Sequence, residues 1–134
     1  IERKQVIRIL IPSPGALVRI DGDTDKTYDF LNAVQLSTRE PEHTFGSELS
    51  LEVGGWDVLE EGTGAELLAC NVSVAPSQRV YPFLHSYPAG GNSFELRFRD
   101  GGHFSTYPQE LKLYLLLSKH ERKLPSEYIV GSPS

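Results

Sequence analysis

Three tyrosines are each followed by proline, in Tyr81-Pro82, Tyr87-Pro88 and Tyr107-Pro108, with His85 and His103 beside them and the single tryptophan, Trp56, behind two glycines. Rings of this kind do recognition chemistry. A flat face offers a large contact area with little side-chain entropy to lose, which suits stacking on a sugar or gripping an extended peptide. Trp56, Tyr81, Tyr87, Tyr107, His85 and His103 are therefore the candidate ligand-binding residues. The competing reading has the same rings capping a core and stiffening loops. Proline fixes φ and removes an amide donor, so these dipeptides belong at strand ends, edges or bulges.

Asp21, Asp23 and Asp25 alternate within Asp-Gly-Asp-Thr-Asp and are followed by Asp29 and Asn32. A compact loop with oxygens at such spacings can surround a hard cation such as calcium. Over about twelve residues the pattern resembles an EF-hand loop or a thrombospondin-type calcium repeat. It departs from them at Lys26, where the sharp turn wants glycine, and at Asn32, where a bidentate glutamate would close the site. Calcium is the one cofactor the sequence suggests, and otherwise none is expected. The plainer reading is an acidic hairpin turn in which Asp21-Gly22 makes the bend.

Catalytic constellations are missing. The four histidines, His43, His85, His103 and His120, show no paired spacing on one element, whereas a jelly-roll metal enzyme needs several imidazoles and a carboxylate on one side of an ion. No Gly-x-Ser-x-Gly elbow or phosphate-cradling loop is present. Cys70 lies mid-strand among apolar neighbours and reads as a small core residue. Asp57, Glu60 and Glu61 follow Trp56 and read as solvated carboxylates. The chain is not expected to be an enzyme; a small hydrolase or isomerase would need His85, His103 and a carboxylate to meet in one cleft.

The elements that must position these residues are strands. Phe94, Leu96 and Phe98 alternate with Glu95, Arg97 and Arg99, and Leu49, Leu51 and Val53 alternate with Glu48, Ser50 and Glu52. A period of two marks one buried and one wet face. Ile7, Ile9 and Ile11 form another such row, followed by Val18 and Ile20 after a Pro12-Ser13-Pro14-Gly15 hairpin or sheet-switching corner. Leu68, Cys70, Val72 and Val74 read as one strand face. Leu111, Leu113, Leu115 and Leu117 read as another, and Leu116 makes that last strand apolar on both sides, as in a central strand or one whose outer face meets another surface. Turn residues recur at Asp21-Gly22, Gly54-Gly55, Gly62-Thr63-Gly64, Pro88 to Gly91 and Asp100-Gly101-Gly102. The expected fold is all-β, an antiparallel β-sandwich or jelly roll of about eight to ten strands. Tyr28 to Leu36 also fits a helical stripe, so the alternative is α+β, an antiparallel sheet with one short helix near residues 27–36.

The chain has 134 residues, enough for one domain spanning 1–134, with 119–134 as a polar linker and possible edge strand or tail. Net charge is −5, and residues 1–61 hold 12 acidic against 6 basic side chains. That balance disfavours a nucleic-acid partner, which needs clustered Lys and Arg. No apolar run suits membrane insertion. The single Cys70 forbids an intrachain disulfide and slightly favours an intracellular over a secreted setting. Asn71-Val72-Ser73 fits the N-glycosylation pattern, with Asn71 pointing outward. The expected function is a non-catalytic protein–protein interaction or assembly domain of a larger protein or complex. Its partner is another protein or a second copy, met through Leu116, Tyr128, Ile129 and Val130 and an exposed sheet edge. The alternative is a carbohydrate- or small-ligand-binding module, calcium-assisted if the aspartates converge.

Overall fold

The structure, a computed structural model, describes residues 2–73 and 80–121. These form a β-sandwich of nine strands: β1 (Glu2–Ile11), β2 (Leu17–Asp23), β3 (Phe30–Thr38), β4 (Glu48–Val53), β5 (Trp56–Gly64), β6 (Ala69–Asn71), β7 (Tyr81–Pro88), β8 (Ser93–Arg99) and β9 (Gln109–Ser118). One sheet has the order β1-β9-β3-β6, with β7 also on β3; the other has the order β2-β8-β4-β5. Pairing is antiparallel except for the short β3–β6 contact. Among the described residues the helical segments are 3₁₀ turns at Pro41–His43 and Ala65–Leu67, and no helix is long and apolar enough to cross a membrane.

Alternation builds the core as the sequence implies. Phe94, Leu96 and Phe98 of β8 and Leu49, Leu51 and Val53 of β4 are buried, facing Ile7, Ile9 and Ile11 of β1 and Leu111, Leu113, Leu115 and Leu117 of β9. β9 lies between β1 and β3, so both of its edges are paired; Leu116, on its outer face, is 7% exposed. The Pro12 to Gly15 corner switches sheets, carrying the chain from β1 to β2. Gly54 and Gly55 close the β4–β5 hairpin at φ of 55° and 86°, the left-handed pair that a two-residue turn of matching twist requires.

Four expectations change. Residues 27–36 contain no helix: β3 begins at Phe30 and pairs with β7 and β9. A bulge between Leu31 and Ala33 inserts one residue, so the inward-facing Leu31 and Val34 fall three apart and imitate a helical stripe. Asp21-Gly22 is not a turn, because β2 continues through Asp23. Gly22 makes room for an aromatic ring; a Cβ there would lie 2.7 Å from Phe94 Cζ. Gly62-Thr63-Gly64 lies inside β5, at an irregularity rather than a reversal. The strand read from Leu68 to Val74 shortens to β6: Leu68 ends a 3₁₀ turn, Val72 is exposed, and Val74 lies outside the described residues. Tyr128, Ile129 and Val130, proposed as an interaction surface, lie outside them as well.

Candidate recognition site

Tyr81, Phe83, His85 and Tyr87 are alternate residues of β7 and so share one of its faces. Their rings form a continuous row: Tyr81 meets Phe83 edge-on at 6.3 Å, Phe83 meets Tyr87 at 5.2 Å, and His85 leans on Tyr87 at 5.0 Å. Trp56 extends the row across to β5, meeting Tyr87 at 6.3 Å and 62°. Phe83 is buried and Tyr87 half-buried against the core, while Trp56 and Tyr81 remain 54% and 39% exposed and His85 is exposed. On the opposite face of β7 the Ser86 hydroxyl donates to the Asn32 carboxamide oxygen, fixing the strand to β3.

The row borders an open groove of ≈ 360 Å³ where the two sheets meet, along β5 and β7. Val58, Leu59 and Phe83 supply apolar lining, Tyr81, His85 and Tyr87 line the β7 side, and Asp57 and Glu60 line the β5 side. Sequence reasoning placed Trp56, Tyr81, His85 and Tyr87 among the ligand-binding candidates, and the fold brings these four together. It did not place Phe83 beneath them or Asp57 and Glu60 beside them. The alternation Tyr81-x-Phe83-x-His85-x-Tyr87 carried the signal, obscured by two prolines that argue against a strand.

The other two candidates lie elsewhere. His103 stacks on Phe45 at 4.0 Å, and Tyr107 sits in the 100–108 loop, donating from its hydroxyl to Asp100 Oδ2 at 2.6 Å and accepting from the Phe104 amide. Burial first, and the Asp100 carboxylate after it, push the Tyr107 phenol above its ordinary value of 10.0. Tyr87 pairs with Leu31 near the start of β3, whereas Glu40, past the end of β3, binds the 100–108 loop. At about 3.3 Å per residue the loop lies roughly 25–30 Å along the strand from Tyr87 and roughly 20 Å from Tyr81, and the groove lined by His85 does not include His103.

The aspartates do not converge as a calcium loop would. Asp21 and Asp23 project from a continuing strand, Asp21 lying 3.6 Å from Arg19 Nε. Asp25 accepts from the Thr27 amide at 2.8 Å and pairs with Arg3 at 3.0 Å; the Thr27 amide first, with the Thr27 hydroxyl and Arg3 added, holds its carboxyl below 3.8 against the opposing effect of burial. Among the described residues, no group of three or more His, Cys, Asp or Glu is placed to hold a metal ion. Cys70 is buried, with its Sγ 3.9 Å from the Leu36 carbonyl oxygen, and Asn71 points outward.

Glu40 fastens the far end of the sandwich. Its Oε1 accepts from the Ser105 amide at 3.0 Å and lies 2.7 Å from His43 Nδ1, while Oε2 accepts from the Gln109 amide group at 2.9 Å. Ser105, through its hydroxyl and its amide, together with His43, outweighs the opposing effect of burial and holds the Glu40 carboxyl below 4.5. A depressed carboxyl contributes stability that is present above its unfolded value and lost as pH falls through the folded one. Glu40→Gln is therefore expected to flatten the loss of stability below pH 4.5, read as unfolding midpoint against pH. An unchanged acid limb would show that this carboxyl is not among the groups that drive acid unfolding.

Comparison of the chain with protein-family models, curated proteins and solved structures places no relative beside it. None of the three gives a match. The functional reading accordingly rests on the groove.

Proposed function

We propose that this domain is a non-catalytic recognition module whose protein partner is held in the β5–β7 groove by Trp56, Tyr81, His85 and Tyr87. The observation that carries the reading is the ring row itself: a large indole and a phenol stand out in solvent beside an open cleft. Buried rings strengthen a core, but exposed rings add nothing to it. Large aromatics at the rim of a groove are the side chains that most often anchor a partner, because each buries a wide face at little entropic cost. Leu116, mostly buried on the outer face of the first sheet, is a weaker anchor for self-association than these rings.

Selection from a displayed library of random dodecapeptides, with a glycan array run in parallel, tests the reading. Peptides that bind this chain are expected to bind Trp56→Ala at least about 10-fold more weakly. Trp56 is exposed, so its removal should leave the thermal unfolding midpoint nearly unchanged. Glycans retained by the array and lost in the same variant would replace the protein partner with a carbohydrate. Peptides that bind Trp56→Ala and Tyr81→Ala as well as the parent chain would move the site away from the groove.

A further inference from the structure

The strands that flank the groove restrict what it can hold. A partner strand adds to a sheet edge only where a regular row of amides and carbonyls is free to pair. Neither edge provides one. Along β5 the register against β4 advances four residues, Leu59 to Thr63, while β4 advances two, and then two, Asp57 to Leu59, against one. Along β7 the register advances five residues, Pro82 to Tyr87, while β3 advances two, and Pro82 and Pro88 have no amide hydrogen to give. Both edges are bulged strands of the kind that resist further pairing. A ligand in the groove must be held by side chains.

The side chains present are rings and acids. Trp56 meets Tyr87 edge-on at 6.3 Å and is 54% exposed, so the indole brings an electron-rich π-surface to solvent beside the Tyr87 ring. Asp57 and Glu60 stand on the β5 wall, and among the described residues no Lys or Arg lines the groove. The sequence from Trp56 to Glu66 contains Asp57, Glu60, Glu61 and Glu66 and no basic residue. Ring faces attract cations, and an exposed pair of carboxylates reinforces the attraction. An apolar peptide would use the rings but leave the two acids without a counterpart, and a sugar, whose hydroxyls donate to carboxylates, would leave their charge unmatched.

We infer that the groove reads a Lys or Arg side chain presented by an extended, basic segment of the partner, with the cation on the Trp56 face beside Tyr87 and within reach of Asp57 and Glu60. This rests on the recognition role proposed above and specifies its ligand. Backbone pairing contributes nothing to it.

Trp56 is the only tryptophan, so its emission reports on the groove directly. The probes are a decapeptide of alternating Lys and Thr, its Arg counterpart, and the Lys peptide with every amine acetylated, each titrated into the whole chain at two salt concentrations, with calorimetry reading their binding to Trp56→Ala, which has no tryptophan. The Lys and Arg peptides are expected to saturate the emission change, and the acetylated peptide to bind about 10-fold more weakly, as befits a desolvated cation over a ring. The Asp57→Asn/Glu60→Gln double variant, changed only at exposed positions, is expected to lose most of that preference while retaining the same melting midpoint. Equal binding of the charged and acetylated peptides, both lost in Trp56→Ala, would overturn the cationic ligand and leave the recognition role standing. Charged-peptide binding that persists in Trp56→Ala would reduce the effect to general attraction by an acidic chain and overturn it too. Absence of binding by all three, beside a retained glycan, would overturn both readings.

Discussion

Phe98→Ala is expected to lower the stability of the domain by about 3–5 kcal/mol, as large-to-small changes at fully buried aromatic positions do. Phe98 has no exposed surface and lies on β8, paired on one side with Val18 of β2 and on the other with Leu49 of β4. Its ring is the largest fully buried side chain in the core. Neighbours on both strands are held by their own ladders, so they cannot collapse into the space, and the cavity penalty adds to the lost transfer free energy. A domain of this size is stable by roughly 5–15 kcal/mol, so the variant should lose a large share of the total. Urea unfolding followed by Trp56 emission measures it. Phe98→Leu, which refills part of the volume, should cost clearly less, and a loss below about 1 kcal/mol for the alanine variant would contradict the packing described.

Asp100→Ala should be the most damaging polar substitution. Asp100 is buried, its Oδ2 accepts from the Gly15 amide at 3.0 Å and from the Tyr107 hydroxyl at 2.6 Å, and its own amide donates to the Ala16 carbonyl at 2.9 Å. One carboxylate thus joins the Pro12 to Gly15 corner to the loop that leads into β9. Alanine would take the acceptor from two donors at part-buried sites, at up to about 1–3 kcal/mol for each group left unpaired. Asp100→Asn keeps an acceptor in place and should cost less. In a double-mutant cycle with Tyr107→Phe, the two losses should sum to more than the double variant's, because they share one hydrogen bond. Strict additivity would show that the short contact carries no coupling. The raised Tyr107 phenol gives a matching sign in alkali: its contribution is intact below 10.0 and lost as pH rises through the higher folded value.

The fold was legible where one face is buried and the other charged. In β4 and β8 every outward residue is polar, so composition and period agree, and the sandwich follows from repeating that pattern. It failed where geometry departs from an even pleat. The bulge in β3 disguised a strand as a helix, and Gly22, present for the Phe94 ring, was mistaken for a reversal. Three of the six ring candidates, Tyr81, His85 and Tyr87, gather because alternate residues of one strand share a face, while Trp56 joins them from β5 through its contact with Tyr87. Tyr107 and His103 could not be separated from them by sequence, since only tertiary pairing places the 100–108 loop at the other end. Asp57 and Glu60 looked solvated in the sequence, and they are exposed; their meaning comes from β7, which arrives beside them from twenty residues further on.

The position of β9 has a bearing on how the chain comes to be folded at all. Emerging from a ribosome, β1 and β3 are made early, yet each takes its long neighbour in the first sheet from the last strand of the described residues. The second sheet faces no such wait, since β2, β4, β5 and β8 are complete before Gln109 is reached. Vectorial synthesis would therefore produce one finished sheet with an apolar face and no lid, and two separated ribbons awaiting the strand that belongs between them. Nascent chains stalled before Gln109 should be protease-sensitive and prone to associate, and the transition to resistance should come abruptly as the leucine row of β9 clears the exit tunnel.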